Sequence, residues 1–306
     1  MTSMLMTKIG SLELKNPVMV ASGTYGYGEE FDDMYDISKL GAVVTKGVSL
    51  KPREGNPMPR VIEVASGMLN AIGLANVGID NFLSEKLPFL VSRNATVIVN
   101  IFGSTIDEYS ELAKLLDDHD GVSAVEVNIS CPNVKAGGVQ FGTDPKVAAK
   151  ITKLVKKAFS KTVIVKLSPQ VSDICAIAKA VEDAGADALS LINTIPAMAI
   201  DVDSRKPVLA NITGGMSGPA VKPVALKLVY DVARSVRIPV VGLGGIMTTD
   251  DALEFLLAGA SAVQIGTANF VNPKVALDVI SGMDSYCRKL NLSSVQEVVG
   301  ALEIQN

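Results

Sequence analysis

Three observations predict an α/β protein folded as one (β/α)8 TIM barrel. Short β-branched runs alternate with amphipathic stretches along the whole chain. Most of those runs are apolar at every position, as strands covered on both sides of a parallel sheet should be. No linker, low-complexity tract or shift in composition interrupts the 306 residues, so residues 1–306 read as a single domain. A doubly wound open sheet is the competing arrangement.

The strands, in order, are PVMVAS (17–22), AVVTK (42–46), TVIVNI (96–101), AVEVNI (124–129), TVIVKL (162–167), ALSLIN (188–193), PVVGLG (239–244) and AVQIG (262–266). Helices are predicted over 29–38, 79–92, 105–118, 144–160, 172–184, 222–235, 248–258 and 273–289. Start signals precede three of them: Ser104-Thr105, Asp144-Pro145 and Thr248-Thr249-Asp250. Gly185 and Gly259 follow the ends of two, where a left-handed cap favours glycine. Ahead of the first strand, KIGSLELKN (8–16) is expected to form an N-terminal hairpin across the barrel bottom. Two connections, 47–78 and 194–221, exceed the usual two to six residues, and long barrel loops shape active sites.

Charge and cysteine usage narrow the function. A net charge of −4 argues against nucleic acid as the partner, because phosphate backbones need a clustered cationic surface. The densest basic run, KLVKKAFSK (153–161), reads as the solvated face of a helix. Cys131, Cys175 and Cys287 are too few and too scattered for a disulfide framework, a metal pair or a four-cysteine iron–sulfur cluster. With no signal-like start and no apolar run of ~20 residues, the reading is a reduced, cytoplasmic protein without a membrane span. His119 lies in the polar turn DDHDG and is given no role.

Barrel chemistry gathers at the C-terminal strand ends. Here those ends carry Ala21-Ser22-Gly23, Thr45-Lys46-Gly47, Asn100, Asn128 to Cys131, Lys166, Asn193-Thr194, Gly242 to Gly245, and Gly266-Thr267. A lone polar residue at a strand end is usually a turn former or cap. Amides, lysines, glycines and a thiol converging from eight ends suit a heterocycle with alternating carbonyl and N–H groups. Glycines after the seventh and eighth strands, in GLGGI and IGTA, stand where barrels commonly bind phosphate through backbone N–H groups. Together they suggest a phosphorylated cofactor with a ring system. A buried lysine needs an anionic or electron-rich partner, which applies to Lys46 and Lys166. Cys175 and Cys287 fall in helical apolar patterns and read as inert thiols.

NISCPNV (128–134), TKGVSLKPREGNPMPR (45–60), NAIGLAN (70–76) and ASGTYGYGEE (21–30) resemble the soluble class 1 dihydroorotate dehydrogenases, from about Leu12 onward. ASGTYGYG and the TKG start look most like the NAD-linked subclass B. One departure is Ala75-Asn76-Val77-Gly78, where the subclass often has Gln-Asn-Pro-Gly. The resemblance implies oxidation of (S)-dihydroorotate to orotate in pyrimidine (UMP) biosynthesis, with one FMN in the barrel mouth. It implies that Ala21, Ser22, Thr45, Lys46, Gly47, Asn100, Asn128, Lys166 and Ile192 line the flavin ring and ribityl chain. Gly218, Gly244, Gly245, Gly266 and Thr267 would hold the phosphate. Lys46, Asn70, Ala71, Ile72, Gly73, Leu74, Asn128, Asn133, Asn193 and Thr194 would surround the pyrimidine, and Cys131 would be the catalytic base. No G-x-G-x-x-G follows a strand, so the chain lacks a Rossmann nicotinamide site. Electrons would then leave through a partner subunit carrying FAD and a [2Fe–2S] cluster, flanking a homodimer core in a heterotetramer. Competing readings are a fumarate-using subclass A enzyme, a Schiff-base lyase using Lys46 or Lys166, and a flavin-dependent pyrimidine reductase acting on RNA.

Overall fold

The computed structural model describes residues 3–130 and 141–304. Eight parallel strands close into a barrel: β1 (Val18–Val20), β2 (Ala42–Val44), β3 (Val97–Ile101), β4 (Ala124–Asn128), β5 (Thr162–Lys166), β6 (Ala188–Leu191), β7 (Val240–Leu243) and β8 (Ala262–Ile265). Each pairs with its neighbour in chain order, and Val263 opposite Val18 closes the ring.

Period-two geometry sorts the side chains. Val125 and Val127 of β4, Val163 and Val165 of β5, and Val263 and Ile265 of β8 join the core under the helices. The alternate residues fill the barrel in layers of opposite character. Ile98, Ala124, Ile164, Ala188 and Ala262 belong to an apolar lower layer. Two residues further along the same strands stand Asn100, Glu126, Lys166, Ser190 and Gln264, all buried and polar. The interior therefore changes from dry to polar toward the C-terminal strand ends, which is what places a site there.

The expected hairpin forms from Thr7–Ile9 and Leu12–Leu14, paired antiparallel. Its Ile9 and Leu14 join the apolar lower layer, and Ser11 Oγ lies 2.9 Å from Thr162 Oγ1 at the start of β5. The hairpin is thus a plug for the barrel bottom. Leu14 is fully buried there, so Leu14→Ala should destabilise the protein by about 2–5 kcal/mol. Urea unfolding should show this with the cavity at the opposite end still able to bind ligand.

Helices span Ile106–Asp117, Pro145–Ala158, Ile174–Asp183, Lys222–Ser235, Thr249–Leu257 and Val275–Lys289. The predicted caps are in place: Thr105 accepts from the Glu108 N–H, Asp144 from the Lys146 N–H, and Thr248 forms a capping box with Asp251. Residues 78–92 are helical with a π-type turn over Phe82–Lys86. The helix expected over 29–38 does not form; two 3-10 turns, Glu29–Phe31 and Ile37–Lys39, occur instead. The reason is spacing. Phe31 and Ile37 are buried six residues apart while Met34 between them is exposed, so no single helical face could bury both.

The two long connections differ from expectation as well. Each contributes two strands to one antiparallel sheet, ordered Ile195–Met198, Thr213–Ser217, Gly67–Asn70 and Val61–Val64. Val61–Val64 and Gly67–Asn70 make a local hairpin, but the pairing of Gly67–Asn70 with Thr213–Ser217 joins the two distant connections and leaves no local signature. A short helix, Ala268–Val271, also follows β8. Among the described residues no helix is long and apolar enough to cross a membrane.

Candidate active site

The polar layer floors a cavity of about 1010 Å³ at the C-terminal mouth of the barrel. The four-stranded sheet made by the two long connections supplies part of its wall, through Val61, Met68, Asn70, Pro196, Thr213 and Met216.

The floor is organised by Glu126, which is fully buried in β4. Its carboxylate accepts hydrogen bonds from Asn100 Nδ2 at 2.7 Å, Gln264 Nε2 at 2.7 Å and Ser190 Oγ at 2.9 Å. Lys166 Nζ stands 3.6 Å from the same carboxylate, so this buried ammonium has the anionic partner that burial demands. Among the described residues, Asn100 Oδ1 and Gln264 Oε1 are buried without a partner.

At one end of the cavity the chain is bent by glycines. Gly218, Gly244 and Gly245 take φ of 100°, 134° and 75°, a range that side chains rarely adopt. A Cβ on Gly245 would stand 2.8 Å from the Gly218 carbonyl oxygen and 2.9 Å from the Lys222 nitrogen, so backbone packs there too closely for any other residue. Gly266 and Thr267 adjoin them, and Thr267 Oγ1 donates to Ser217 Oγ at 2.7 Å. Asp251 braces this end from behind: it accepts from the Met247 and Thr248 N–H groups and pairs with Lys222 at 2.6 Å.

Another part of the wall is a loop clasp. Asn56 donates to the Ala71 carbonyl at 2.9 Å, and its backbone N–H donates to the Ile72 carbonyl, fixing the stretch Asn70 to Leu74. Asn76 accepts from the Ser49 and Gly78 N–H groups and donates to Ser49 Oγ and the Leu74 carbonyl. It ties the start of the connection to its end, despite valine at position 77. Asn128 Oδ1 accepts from Ser130 N and from Asn193 Nδ2, and Asn193 Oδ1 accepts from Thr194 N.

Lys46 reaches the cavity from the end of β2. Burial and the nearby Arg60 guanidinium push its ammonium below the usual lysine range, with Glu30 opposing weakly. Among the described residues no carboxylate lies within ion-pair distance of it. The half-buried charge is thus left for an anion from outside.

Of the expected ring-binding residues, Ala21, Ser22, Lys46, Gly47, Asn100, Asn128, Lys166 and Ile192 line this one cavity. So do Gly218, Gly244, Gly245, Gly266 and Thr267, together with Asn70, Ala71, Ile72, Gly73, Leu74, Asn193 and Thr194. Thr45 does not line it; it is fully buried behind the wall, its Oγ1 accepting from the Asn100 N–H at 3.3 Å. Cys131 and Asn133 lie outside the described residues. Sequence reading missed Glu126, Ser190, Gln264 and Arg60. A signal existed for two of them: Glu126 in AVEVN and Gln264 in AVQI each interrupt an otherwise apolar strand.

Residues 4–286 match the family described as dihydroorotate dehydrogenase. The chain is 60% identical over 296 residues to a protein of Trichlorobacter lovleyi, covering 97% of each. It is 58% identical over 300 residues to one of Geobacter sulfurreducens, covering 98% of each. Both relatives bear the name dihydroorotate dehydrogenase B (NAD(+)), catalytic subunit.

Proposed function

The chain belongs to the dihydroorotate dehydrogenase family, and from that premise we propose that it is the catalytic subunit of an NAD-linked enzyme oxidising (S)-dihydroorotate to orotate in pyrimidine biosynthesis. The observation that carries this reading is the cavity itself: it has a glycine-bent end and, among the described residues, a polar floor with two acceptors lacking partners and a lysine lacking an ion-pair partner.

Those residues fit FMN. Among the described residues Asn100 Oδ1 and Gln264 Oε1 are acceptors without donors, and FMN offers a ring N–H and ribityl hydroxyls. The close-packed glycines 218, 244 and 245, with Gly266 and Thr267, fit a phosphate held by backbone N–H groups. Ala21, Ser22, Lys46, Gly47, Asn128, Lys166 and Ile192 would hold the ring and chain between them. Bound FMN would accept the hydride leaving C6 of dihydroorotate.

The chain's own groups would supply the rest. Lys46, with the positive potential of Arg60, would take the substrate carboxylate. Asn70, Asn128, Asn193 and Thr194 would hold the ring amides, and the backbone of Ala71 to Leu74, held by Asn56, would close over it. Asn133 would add a further amide. Cys131, which follows β4 in sequence, would remove the C5 proton as a thiolate. Loss of that proton and of the C6 hydride leaves orotate.

The chain has no nicotinamide motif, so we infer a second, electron-transfer subunit carrying FAD and [2Fe–2S], with NAD⁺ as final acceptor. The catalytic chains would form its homodimeric core.

Purified chain should be yellow and release FMN on denaturation. Anaerobic dihydroorotate should bleach it, with one orotate formed per flavin, and turnover with NAD⁺ should require the partner subunit. A colourless protein whose substrate adduct is trapped by borohydride would overturn the flavin reading. Turnover with fumarate alone would overturn the NAD-linked assignment.

A further inference from the structure

Glu126 is fully buried and does not touch the cavity, yet it contacts three side chains that do. Asn100 comes from β3, Gln264 from β8 and Lys166 from β5, and the Glu126 carboxylate is their common partner. Ser190 of β6 donates to it from a position that does not line the cavity.

A carboxylate can only accept hydrogen bonds. It therefore decides which way both amides point. Asn100 and Gln264 must turn their NH₂ groups toward Glu126, and their carbonyl oxygens are left over. Among the described residues, those two oxygens are two of the few buried side-chain atoms without a partner. Buried polar atoms are nearly always paired, so two orphan acceptors on one floor mark where a bound molecule supplies donors.

We propose that Glu126 is a positioning residue that, from behind the floor, fixes an acceptor, acceptor and cation pattern on Asn100, Gln264 and Lys166 for the ring and ribityl chain of the cofactor. Gln264 thereby becomes a cofactor-facing residue alongside Asn100 and Lys166. The inference rests on the reading of this cavity as an FMN site. It adds that the floor's polarity is set by one side chain that never meets the ligand.

Glu126→Gln tests it. The two carboxylate oxygens each face donors: Oε1 faces Asn100 and Lys166, and Oε2 faces Ser190 and Gln264. Whichever side the new NH₂ takes, donor meets donor, and an amide must turn its oxygen inward or move away. FMN affinity of the purified protein, measured by fluorescence titration, should fall about tenfold or more, as expected for losing a hydrogen bond in a charged network. The midpoint potential of the remaining bound flavin should move positive, because Lys166 loses its counter-charge and the reduced flavin is anionic.

A second variant covers the case in which Glu126→Gln does not fold. Gln264→Met keeps the size of the side chain and removes only the cavity acceptor and one donor to Glu126. Its FMN affinity should also fall while the FMN-free protein still folds cooperatively, because Asn100, Ser190 and Lys166 remain on the Glu126 carboxylate. Wild-type protein that binds no FMN would overturn the cofactor reading and this inference with it. Wild-type protein that binds FMN, beside variants with unchanged affinity and potential, would overturn the role of Glu126 alone.

Discussion

Replacing Cys131 by alanine is expected to slow the reduction of bound FMN by dihydroorotate about 10²- to 10⁴-fold, the usual worth of a positioned general base. Removal of the C5 proton has no other assigned acceptor, because the amides proposed around the substrate are not bases and the lysine proposed to meet it does so as a cation. FMN content should be unchanged, since Cys131 is assigned to the substrate and not to the cofactor. The pH dependence gives a second check. Only the thiolate accepts a proton, and an unperturbed thiol ionises near pH 8.5. The wild-type rate should therefore rise with pH to a plateau. Cys131→Ser should lose that plateau, because a hydroxyl does not ionise in this range. Anaerobic stopped-flow bleaching of the flavin measures both, and near-wild-type bleaching in Cys131→Ala would remove Cys131 from the mechanism.

Lys46→Met should weaken orotate binding about 10²-fold and, at the same time, make the ligand-free protein more stable at neutral pH. Losing one partner of a desolvated charge pair costs about 2–5 kcal/mol, and each 1.4 kcal/mol is tenfold in affinity. The stability gain follows from the direction of the lysine's shift. Burial and Arg60 lower its proton affinity in the folded protein. Between that lowered value and the ordinary lysine value of 10.5, the unfolded chain holds more protons than the folded one. Stability of the wild type therefore rises with pH through that window, and the full cost of the buried charge is present below it. Methionine removes the cost at every pH. Orotate relieves it in the wild type by bringing an anion, so the ligand should raise the wild-type melting temperature much more than that of Lys46→Met. Thermal unfolding with and without orotate decides the matter. Equal orotate affinity in the two proteins would place the substrate carboxylate elsewhere.

What could be read from the chain alone was whatever repeats locally. The alternation of Val-rich runs with capped amphipathic helices marks eight strands, because parallel strands buried on both faces must be apolar throughout. Thr105, Asp144 and Thr248 announced their helices because a cap bonds within its own first turn. The polar strand ends were visible for the same reason: Lys46, Asn100, Asn128, Lys166 and Asn193 interrupt apolar runs at the positions where barrel strands stop. The residues 29–38 misled: a helix is expected there, but the burial spacing of Phe31 and Ile37 does not support one.

The tertiary structure decided what depends on encounter between distant segments. Residues 61–70 and 195–217 pair into a sheet over the mouth, although each read alone as loop. Thr45, adjacent to Lys46, turns away and is sealed behind Asn100 because successive side chains face opposite ways. Above all, closure of the barrel brings Asn100, Lys166, Ser190 and Gln264 from four strands onto the carboxylate of Glu126 on a fifth. The sequence determined that this chain alternates strands and helices and carries polar strand ends, since periodicity and composition are properties of neighbours. Closure into a barrel rather than an open sheet came from the pairing of the last strand with the first. Which of those polar groups meet, and which oxygens they leave free, only the closed ring determined, since a buried charge takes its partners from wherever the fold delivers them.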